Sequence, residues 1–359
     1  MSIISNAAIS SKYELKGANK QVPIEYVFID EEGQLRSKTK TLDYMPKTIQ
    51  DVPPLDMDET KDADIVLLGA QHRRQLVPIA MYQDPFRVNL QGKLVLCEHP
   101  TRQHCKEIMD YYAHLEPWFG MEQEYVLFDP KTNRPLGWPL HGEPESQGKY
   151  YCGVGAGKIF GRDIMEAHYR ACLFAGLVLC GCNAEVTPGQ LEYQIGPCVG
   201  VTIGDELWMA RYIMERITEE FGIIVSLHPK PMRGDWNPTG CHTNFSTNEM
   251  RSAETGLEAI DQAIENMSSK HFEHIEVYGQ DNELRLTGEY ETGHISVFSY
   301  GVGNRGASIR IPRKVVAEGK GYMEDRRPAS NIDPYQVVTI IMKSSFNYKS
   351  QFEQEILIQ

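Results

Sequence analysis

Two glutamates lie two positions apart in the segment that runs from Trp118 to Tyr125. The segment has the composition of a β-strand, on which residues two apart share a face, so Glu122 and Glu124 are predicted to point the same way. Two like charges on a core-facing strand are costly. A divalent cation between them keeps both carboxylates ionised, and Mg²⁺ and Mn²⁺ prefer oxygen ligands. The segment therefore indicates a metal site, unless this face of the strand is solvated.

A second acidic pair, Glu185 and Glu192, flanks a Pro-Gly turn that can fold the two strands side by side. His242 lies farther along the chain in a Gly-bounded polar run. A lone histidine is more often a satisfied core residue, but beside acids it can serve as a nitrogen ligand. Four acids on two strand systems are hard to explain as surface residues. The sequence therefore predicts a metal site built from distant segments.

Arginines are dense in the run 304–313 and recur at 326–327. The planar guanidinium group binds phosphate and carboxylate oxygens in bidentate fashion. A phosphoryl-transfer site combines metal on the nucleotide oxygens with fixed cations over the charge that develops in the transition state. The acids and the arginines together indicate such a site; the alternative for the arginines is a ladder of surface salt bridges.

The elements that must position these groups change character near Pro100. Alternating apolar residues predict strands before this point. After it, a period of 3.6 residues predicts helices, which alternate with further strands. The predicted strands are 24–30 and 35–42, joined as a hairpin, and 76–81 and 93–98; the predicted helices are 103–114, 162–175 and 205–221. We expect a flexible arm over residues 1–22, a strand-rich domain over 23–99 and an α/β or α+β catalytic domain over 100–359.

The composition is that of a globular protein, with 359 residues of which 41% are hydrophobic. No apolar run approaches the roughly 20 residues of a membrane helix, and no targeting pattern opens the chain, so a cytoplasmic protein with no membrane partner is expected. Acidic residues outnumber basic ones by 49 to 36, which argues against a nucleic-acid partner. The eight cysteines lack paired spacing, so most are predicted to be reduced core residues.

Five long blocks, in order, resemble the motifs of the eukaryotic-type glutamine synthetase family. They are WFGMEQEY (118–125), NAEVTPGQLEYQIGP (183–197), GDWNPTGCHTNFST (234–247), NRGASIRIPR (304–313) and KGYMEDRRP (320–328). The resemblance runs almost unbroken from Trp118 to Pro334 and extends to LRSKTKTLD, MYQDPFR and KLVLCE in the first hundred residues. Five blocks in the right order are far more specific than a match to one short motif.

This resemblance implies an α+β fold, with a small β-grasp N-terminal domain followed by a catalytic domain of a curved antiparallel sheet and surrounding helices. It also implies a homo-oligomer of two stacked rings, a decamer, with active sites between neighbouring subunits. The implied reaction is the ATP-dependent ligation of ammonia to the γ-carboxylate of L-glutamate through γ-glutamyl phosphate, with Mg²⁺ or Mn²⁺. The implied partners are therefore L-glutamate, ammonium and ATP.

The resemblance also assigns roles residue by residue. The ligands of one metal are Glu124, Glu185 and Glu192, and those of the metal on the nucleotide phosphates are Glu122, His242 and Glu324. The catalytic residues are Glu291, which closes over the acyl intermediate, and the phosphate-side Arg305 and Arg310. Glutamate is bound by Asn237, Arg285 and Arg326, and the nucleotide by Trp118, Asn244, Ser246, Tyr322 and Arg310.

The sequence departs from the family pattern in its N-terminal domain. The family carries Trp-Asn-Phe-Asp-Gly-Ser-Ser, whose Asp helps to bind and deprotonate ammonium in the next subunit, whereas this chain has the segment 53–60, with Asp56 and Asp58 as candidate substitutes. A frame slip within 53–75 is one explanation, and sequencing the transcript decides it. In addition, the stretch between Glu98 and His104 is short, Pro238 replaces a glycine and Tyr290 replaces a flap histidine.

Three functions remain open at this point. The first is an active ligase, because all the metal ligands and substrate arginines of the family pattern are present. The second is a catalytically silent oligomer of the same family with a structural or regulatory role, which the changed loop favours. The third is a ligase that uses another amine.

Overall fold

The computed structural model describes residues 21–57 and 75–348. The predicted arm lies outside the described residues except for its last two, and Val22 already begins the first strand. The proposed frame slip falls mainly on residues 58–74, and the candidate Asp58 is among them; both lie outside the described residues.

The described part of the N-terminal region forms a four-stranded mixed sheet. Its strands are β1 (Val22–Ile29), β2 (Leu35–Leu42), β5 (Pro78–Gln83) and β6 (Lys93–Cys97), in the order β2-β1-β6-β5. The predicted hairpin is present, since β1 and β2 pair antiparallel over their whole length, and β1 pairs parallel to β6. Two short strands, β3 (Leu55–Asp56) and β4 (Gln75–Leu76), pair separately.

A second, larger sheet carries the chemistry. Its strands are β7 (Trp118–Asp129), β8 (Arg134–Pro135), β9 (Leu179–Ala184), β10 (Gln190–Val199), β11 (Ile224–Ser226), β12 (Cys241–Ser246), β13 (Tyr300–Val302), β14 (Ile309–Ile311) and β15 (Met323–Asp325). The main order is β13-β14-β15-β12-β7-β10-β9, and β8 and β11 also pair with β7. The pairs are antiparallel except β13 with β14, which is parallel.

Helices surround this sheet, so the fold is α+β, as predicted. They are α1 (Pro100–Tyr111), α2 (Arg162–Ala175), α3 (Thr202–Phe221), α4 (Gly256–Ser268), α5 (His271–Val277), α6 (Arg313–Glu318) and α7 (Pro334–Ser345). Short 3₁₀ turns lie at Ile49–Asp51, Val88–Leu90, Ala113–Leu115 and Asn282–Leu284. No helix in the described ranges combines the length and the apolar character that crossing a membrane requires.

The helix α3 is the centre of the main hydrophobic core. Most of its residues are buried, and it packs against α2, α7 and strands of the larger sheet. Its buried Asp205 accepts two hydrogen bonds from Arg102 of α1, at 2.7 and 3.0 Å, and a third from the Tyr335 hydroxyl of α7, at 2.7 Å. The bidentate ion pair and the Tyr335 hydrogen bond together link α1, α3 and α7 on one side of the sheet. The candidate site lies on the other side.

Candidate active site

The register of the larger sheet brings the predicted acids and the histidine together. Glu124 on β7 lies opposite Glu192 on β10, and Glu122 on β7 lies opposite His242 on β12. Across the next ladder, Asn244 on β12 lies opposite Glu324 on β15. Residues that are far apart in sequence therefore share one face of adjacent strands. The structure agrees with the predicted common face of Glu122 and Glu124, since both line the same cavity.

Three carboxylates crowd one side of this cavity: Glu124, Glu185 and Glu192. The Glu124 carboxylate accepts a hydrogen bond from the Gly240 N–H at 2.8 Å, and Glu185 accepts one from Asn183 Nδ2 at 2.9 Å. Burial, and then the nearby Glu185 charge, raises the pKa of Glu124 to about 8. Burial also raises the pKa of Glu185 and, with the charges of its acidic neighbours, that of Glu192. Without a cation, these three groups resist being charged together.

A second cluster consists of Glu122, His242 and Glu324, each of which offers a ligand atom within 4.8 Å of the others. His242 Nδ1 is 3.5 Å from Glu122 Oε2 and 3.6 Å from Glu324 Oε1. Burial, and then the positive charge of Arg326, hold the pKa of His242 well below its usual value. The imidazole is therefore neutral and able to bind a cation, and two carboxylates with one imidazole are a donor set that fits a divalent metal.

Guanidinium groups also line the cavity, in direct contact with members of the second cluster. Arg326 Nη1 lies 2.7 Å from Glu324 Oε1, Arg310 contacts the other oxygen of Glu324, and Arg285 Nη2 lies 3.2 Å from His242 Nε2. Arg285 is buried, and this burial lowers its pKa to about 10, so it is still charged at neutral pH. The cavity between the acids and these cations measures about 670 Å³. This volume accommodates a small polar substrate.

The loop that carries Glu291 lies at the mouth of the cavity. The Glu291 carboxylate is 3.1 Å from Arg305 Nη1, and its backbone carbonyl accepts a hydrogen bond from Arg326 Nη2 at 3.3 Å. Both Tyr290 and Glu291 have positive φ, at 53° and 59°, which non-glycine residues rarely adopt. Asn237 lines the same cavity, and its backbone N–H donates to Gln147 Oε1 at 2.8 Å.

A second, mainly apolar cavity of about 360 Å³ adjoins the first. The four remaining predicted residues line it: Trp118, Asn244, Ser246 and Tyr322. The Arg251 guanidinium stacks 4.0 Å from the Trp118 ring centre and donates to Ser246 Oγ at 3.0 Å. The two cavities meet at Glu122 and Gln194, which line both. Every predicted site residue thus lines one of the cavities, with the exception of Glu324. Glu324 is fully buried and contributes to the cluster with Glu122 and His242.

Several cavity residues were not predicted. The neutral side chains among them are Gln147, Tyr151, Asn183 and Gln194, and Arg251 was also missed. Gln194 donates to Glu192 and, at 2.7 Å, to Asn183 Oδ1, and the Tyr151 hydroxyl contacts Arg305. Strand alternation could have found Gln194, because residues 192 and 194 share a face. The loop residues Gln147 and Tyr151 carry no comparable signal.

Asp56, one candidate substitute for the family's ammonium-binding Asp, is not among the residues that line this cavity. Asp56 is exposed on β3, where its carboxylate accepts a hydrogen bond from Gln75 Nε2 at 2.8 Å.

Known proteins resemble this chain over most of its length. Residues 98–274 match the family described as "Glutamine synthetase, catalytic domain". The chain is 50% identical over 352 residues to the glutamine synthetase of Tuber borchii, an alignment that covers 95% of this chain and 97% of the relative. It is 53% identical over 335 residues to that of Suillus bovinus, covering 90% and 93%. It is 49% identical over 356 residues to that of Schizosaccharomyces pombe, covering 96% and 98%.

These relatives are matched over nearly their whole length at about half identity, so the resemblance inferred from the five blocks is confirmed. The chain therefore belongs to the glutamine synthetase family of ATP-dependent ligases.

Proposed function

We propose that the protein joins ammonia to the γ-carboxylate of L-glutamate at the expense of ATP, through γ-glutamyl phosphate, and so assimilates nitrogen into glutamine. The single observation that carries this proposal is that one cavity brings together two acidic clusters and the four arginines Arg285, Arg305, Arg310 and Arg326. Acids that hold metal opposite cations that hold phosphate and carboxylate are what phosphoryl transfer to a carboxylate requires.

The residues present fit two divalent cations, Mg²⁺ or Mn²⁺. One would be held by Glu124, Glu185 and Glu192, whose pKa values are raised first by burial and, for Glu124 and Glu192, also by neighbouring acids. The other would be held by Glu122, His242 and Glu324. When bound, the metals supply positive charge that neutralises the nucleotide phosphates and the substrate carboxylate.

The arginines orient the anionic substrates. In the proposed arrangement, Arg285 and Arg326 hold the carboxylate of glutamate with Asn237 nearby, while Arg305 and Arg310 face the transferring phosphate. The side chain of Arg310 is only partly exposed, at 25%, so its charge is screened less than that of a surface arginine. These cations draw charge from the terminal phosphate and let the γ-carboxylate attack it.

The apolar cavity suits the nucleotide base. Its lining of Trp118, Tyr322 and Phe245 offers aromatic surface, while Asn244 and Ser246 supply polar groups. Because this cavity meets the first one at Glu122, a nucleotide bound there reaches the second metal cluster with its phosphates.

The second half-reaction needs ammonia. Ammonium would lose a proton in the acid-lined part of the cavity, and ammonia would then displace phosphate from the acyl group. Glu291 closes over the cavity and keeps water from the acyl phosphate.

The proposed assembly is a homo-oligomer of two stacked rings, a decamer, in the cytoplasm. Three large apolar side chains near the end of α2, those of Leu173, Phe174 and Val178, are about half exposed, at 46%, 48% and 46%, which supports a subunit contact. Five of the eight cysteines are buried, as expected of thiols in a hydrophobic core.

Phosphate release from ATP with Mg²⁺ tests the function. Release that requires both glutamate and ammonium supports the ligase. No release at all supports the second candidate, a silent oligomer, which the changed N-terminal segment favours. Turnover with a different amine alone would indicate a ligase with another acceptor.

The changed N-terminal segment leads to a separate prediction. We expect a raised ammonium requirement and ordinary ATP binding, because the nucleotide cavity is complete while the family's ammonium-binding loop is altered. Steady-state titrations of ammonium and of ATP, alongside a fungal relative, measure both constants. An ammonium requirement equal to that of the relative would contradict this expectation.

A further inference from the structure

The loop at residues 287–294, called the flap below, is anchored at its base and exposed at its tip. Thr287 and His294 pair in an isolated antiparallel β-bridge, and the Ile295 N–H donates to the Leu286 carbonyl at 2.9 Å. At the tip, Tyr290 and Glu291 both take left-handed backbone conformations. Two consecutive residues in this region are disfavoured unless neighbouring groups hold them. The flap tip therefore needs partners outside the flap.

One such partner is Asp235, on a different segment of the chain. The Tyr290 hydroxyl donates a hydrogen bond to the Asp235 carboxylate, which raises the pKa of Tyr290 to about 12. The ammonium group of Lys230 lies 4.7 Å from the centre of the Tyr290 ring, and also donates to the Trp236 carbonyl. A cation over the ring and a carboxylate at the hydroxyl hold this side chain at both ends.

The segment that receives Tyr290 is itself fixed to the candidate site. Trp236 is buried against Trp138, with ring centres 4.7 Å apart. The Pro238 carbonyl accepts a hydrogen bond at 3.0 Å from Gln190 Nε2, which also lies 3.2 Å from Glu124 Oε2. A contact made at Asp235 therefore ties the flap to the wall that carries the first acidic cluster.

We propose that Tyr290 and Asp235 form a latch that holds the flap closed over the cavity, and that Tyr290 is a positioning residue for Glu291. The inference rests on the proposed function. Tyr290 itself touches no reacting atom. Its contact keeps the carbonyl of Glu291 on Arg326 and its carboxylate on Arg305, so that the flap excludes water.

An open flap has a specific chemical consequence. Water then takes the place of ammonia and attacks the γ-carbonyl carbon of γ-glutamyl phosphate, and the bond from that carbon to the phosphate oxygen breaks. The products are glutamate and phosphate, so ATP is consumed and no glutamine forms. Loss of the latch should therefore raise phosphate release in the absence of ammonium relative to glutamine formation in its presence.

The test uses the purified full-length oligomer and two matched variants, Tyr290→Phe and Asp235→Ala. Tyr290→Phe removes one oxygen atom and keeps the ring under Lys230. We expect each variant to raise the ratio of uncoupled phosphate release to glutamine formation about fivefold, with an unchanged KM for ATP, because one charge-assisted hydrogen bond is lost. Asp235→Asn keeps an acceptor oxygen and should stay within about twofold of the parent. Tyr300→Phe, an exposed tyrosine on β13, is the control and should leave the ratio unchanged.

The double variant Tyr290→Phe with Asp235→Ala distinguishes a shared contact from two separate effects. If the two residues act through one bond, the double variant is no worse than either single variant. Effects that multiply, or a Tyr290→Phe enzyme with the parental ratio, would overturn the latch. A parent enzyme that makes no glutamine would instead overturn the proposed function, so the two failures are distinguishable.

Discussion

Glu124 and Glu192 lie directly opposite each other on the paired strands β7 and β10, and both are buried. Two carboxylates in register on neighbouring strands repel each other, and burial strengthens that repulsion. Such an arrangement is unfavourable for the metal-free protein and favourable for the metal-bound one. The same carboxylates therefore lower the stability of the metal-free protein and are needed for metal binding.

Replacing Glu192 by Gln should stabilise the metal-free protein and impair the enzyme. Burial and the neighbouring acids raise the pKa of Glu192, so at neutral pH the metal-free protein must take up a proton there on folding. Glutamine needs no proton, so a cost of about 1 kcal/mol disappears and the Tm of the metal-free protein should rise by about 2 °C. The same change removes a proposed metal ligand, so kcat should fall at least about 100-fold and the Mg²⁺ requirement should rise. Thermal unfolding with chelator and steady-state kinetics measure the two effects. Glu258→Gln, on the exposed side of α4, is the matched control, and a variant with parental activity would contradict the ligand assignment.

Stability should decline more steeply with rising pH in the metal-free protein than in the metal-bound one. The carboxyl group of Glu124 ionises near 4.5 when unfolded and near 8 when folded, so its contribution to the free energy of unfolding declines as the pH rises between these values. The raised pKa values of Glu185 and Glu192 act with the same sign. Above about pH 7 the buried His242, whose pKa is lowered, is neutral in both states and contributes no slope.

The measurement is therefore the Tm difference between Mg²⁺-bound and metal-free protein from about pH 7 to about pH 8.5. It should widen as the pH rises, because the metal binds only the ionised carboxylates. Glu124→Gln should flatten the trend. A difference that is constant across this range, or that narrows, would show that these acids do not take up the metal.

Arg310 should matter more for turnover than for nucleotide affinity. Its guanidinium contacts Glu324, a member of the second metal cluster. From there it can stabilise the negative charge that develops on the phosphate in the transition state. Arg310→Gln should lower kcat by about 100-fold to 1000-fold with a smaller change in the KM for ATP, since a preorganised cation acts most strongly in the transition state. Arg170→Gln is a suitable control because that side chain is 77% exposed on α2. Equal losses in kcat and in ATP affinity would place Arg310 in ground-state binding.

The side chains on the reverse of β15 should control stability. Asp325 and Arg327 are each 1% exposed and are 2.6 Å apart, and Asp325 also accepts a hydrogen bond from the Tyr278 hydroxyl at 2.6 Å. Asp325→Ala leaves the Arg327 charge buried and without this partner, so the free energy of unfolding should fall by about 3–5 kcal/mol. Chemical denaturation measures this value. Asp110→Ala removes an exposed ion pair with Lys106 and should change little; a similarly mild effect at Asp325 would contradict the prediction.

Much of the fold follows from local sequence signals. The helix predicted at 162–175 lies at Arg162–Ala175. It is bounded by Gly161 and Gly176, which both take positive φ. The helix predicted at 103–114 instead covers Pro100–Tyr111, since Pro100 occupies the first turn, where its missing N–H costs nothing. The helix predicted from Asp205 begins at Thr202, so Asp205 lies within its first turn. There Asp205 is buried and accepts a hydrogen bond from Arg102.

The site was predictable where charge and strand alternation coincide. Alternation placed Glu122 and Glu124 on one face, but not their division between two clusters. That division depends on the strands β10 and β12, which flank β7 on opposite sides. The first pairs Glu192 with Glu124, 68 positions away (192 − 124), and the second pairs His242 with Glu122, 120 positions away (242 − 122), so the resemblance to the family was needed to assign them. The contact between Tyr290 and Asp235 is of the same kind, since neither residue type marks a latch in the sequence.

The wall shared by the two cavities has a consequence for inhibitors. Glu122 and Gln194 form the threshold between the polar and the apolar compartment, so one covalent molecule can extend from a glutamate-like head to an aromatic tail. Its linker must cross beside the Glu122 carboxylate. An anionic linker will therefore require bound metal for affinity, whereas an uncharged linker that donates a hydrogen bond will not.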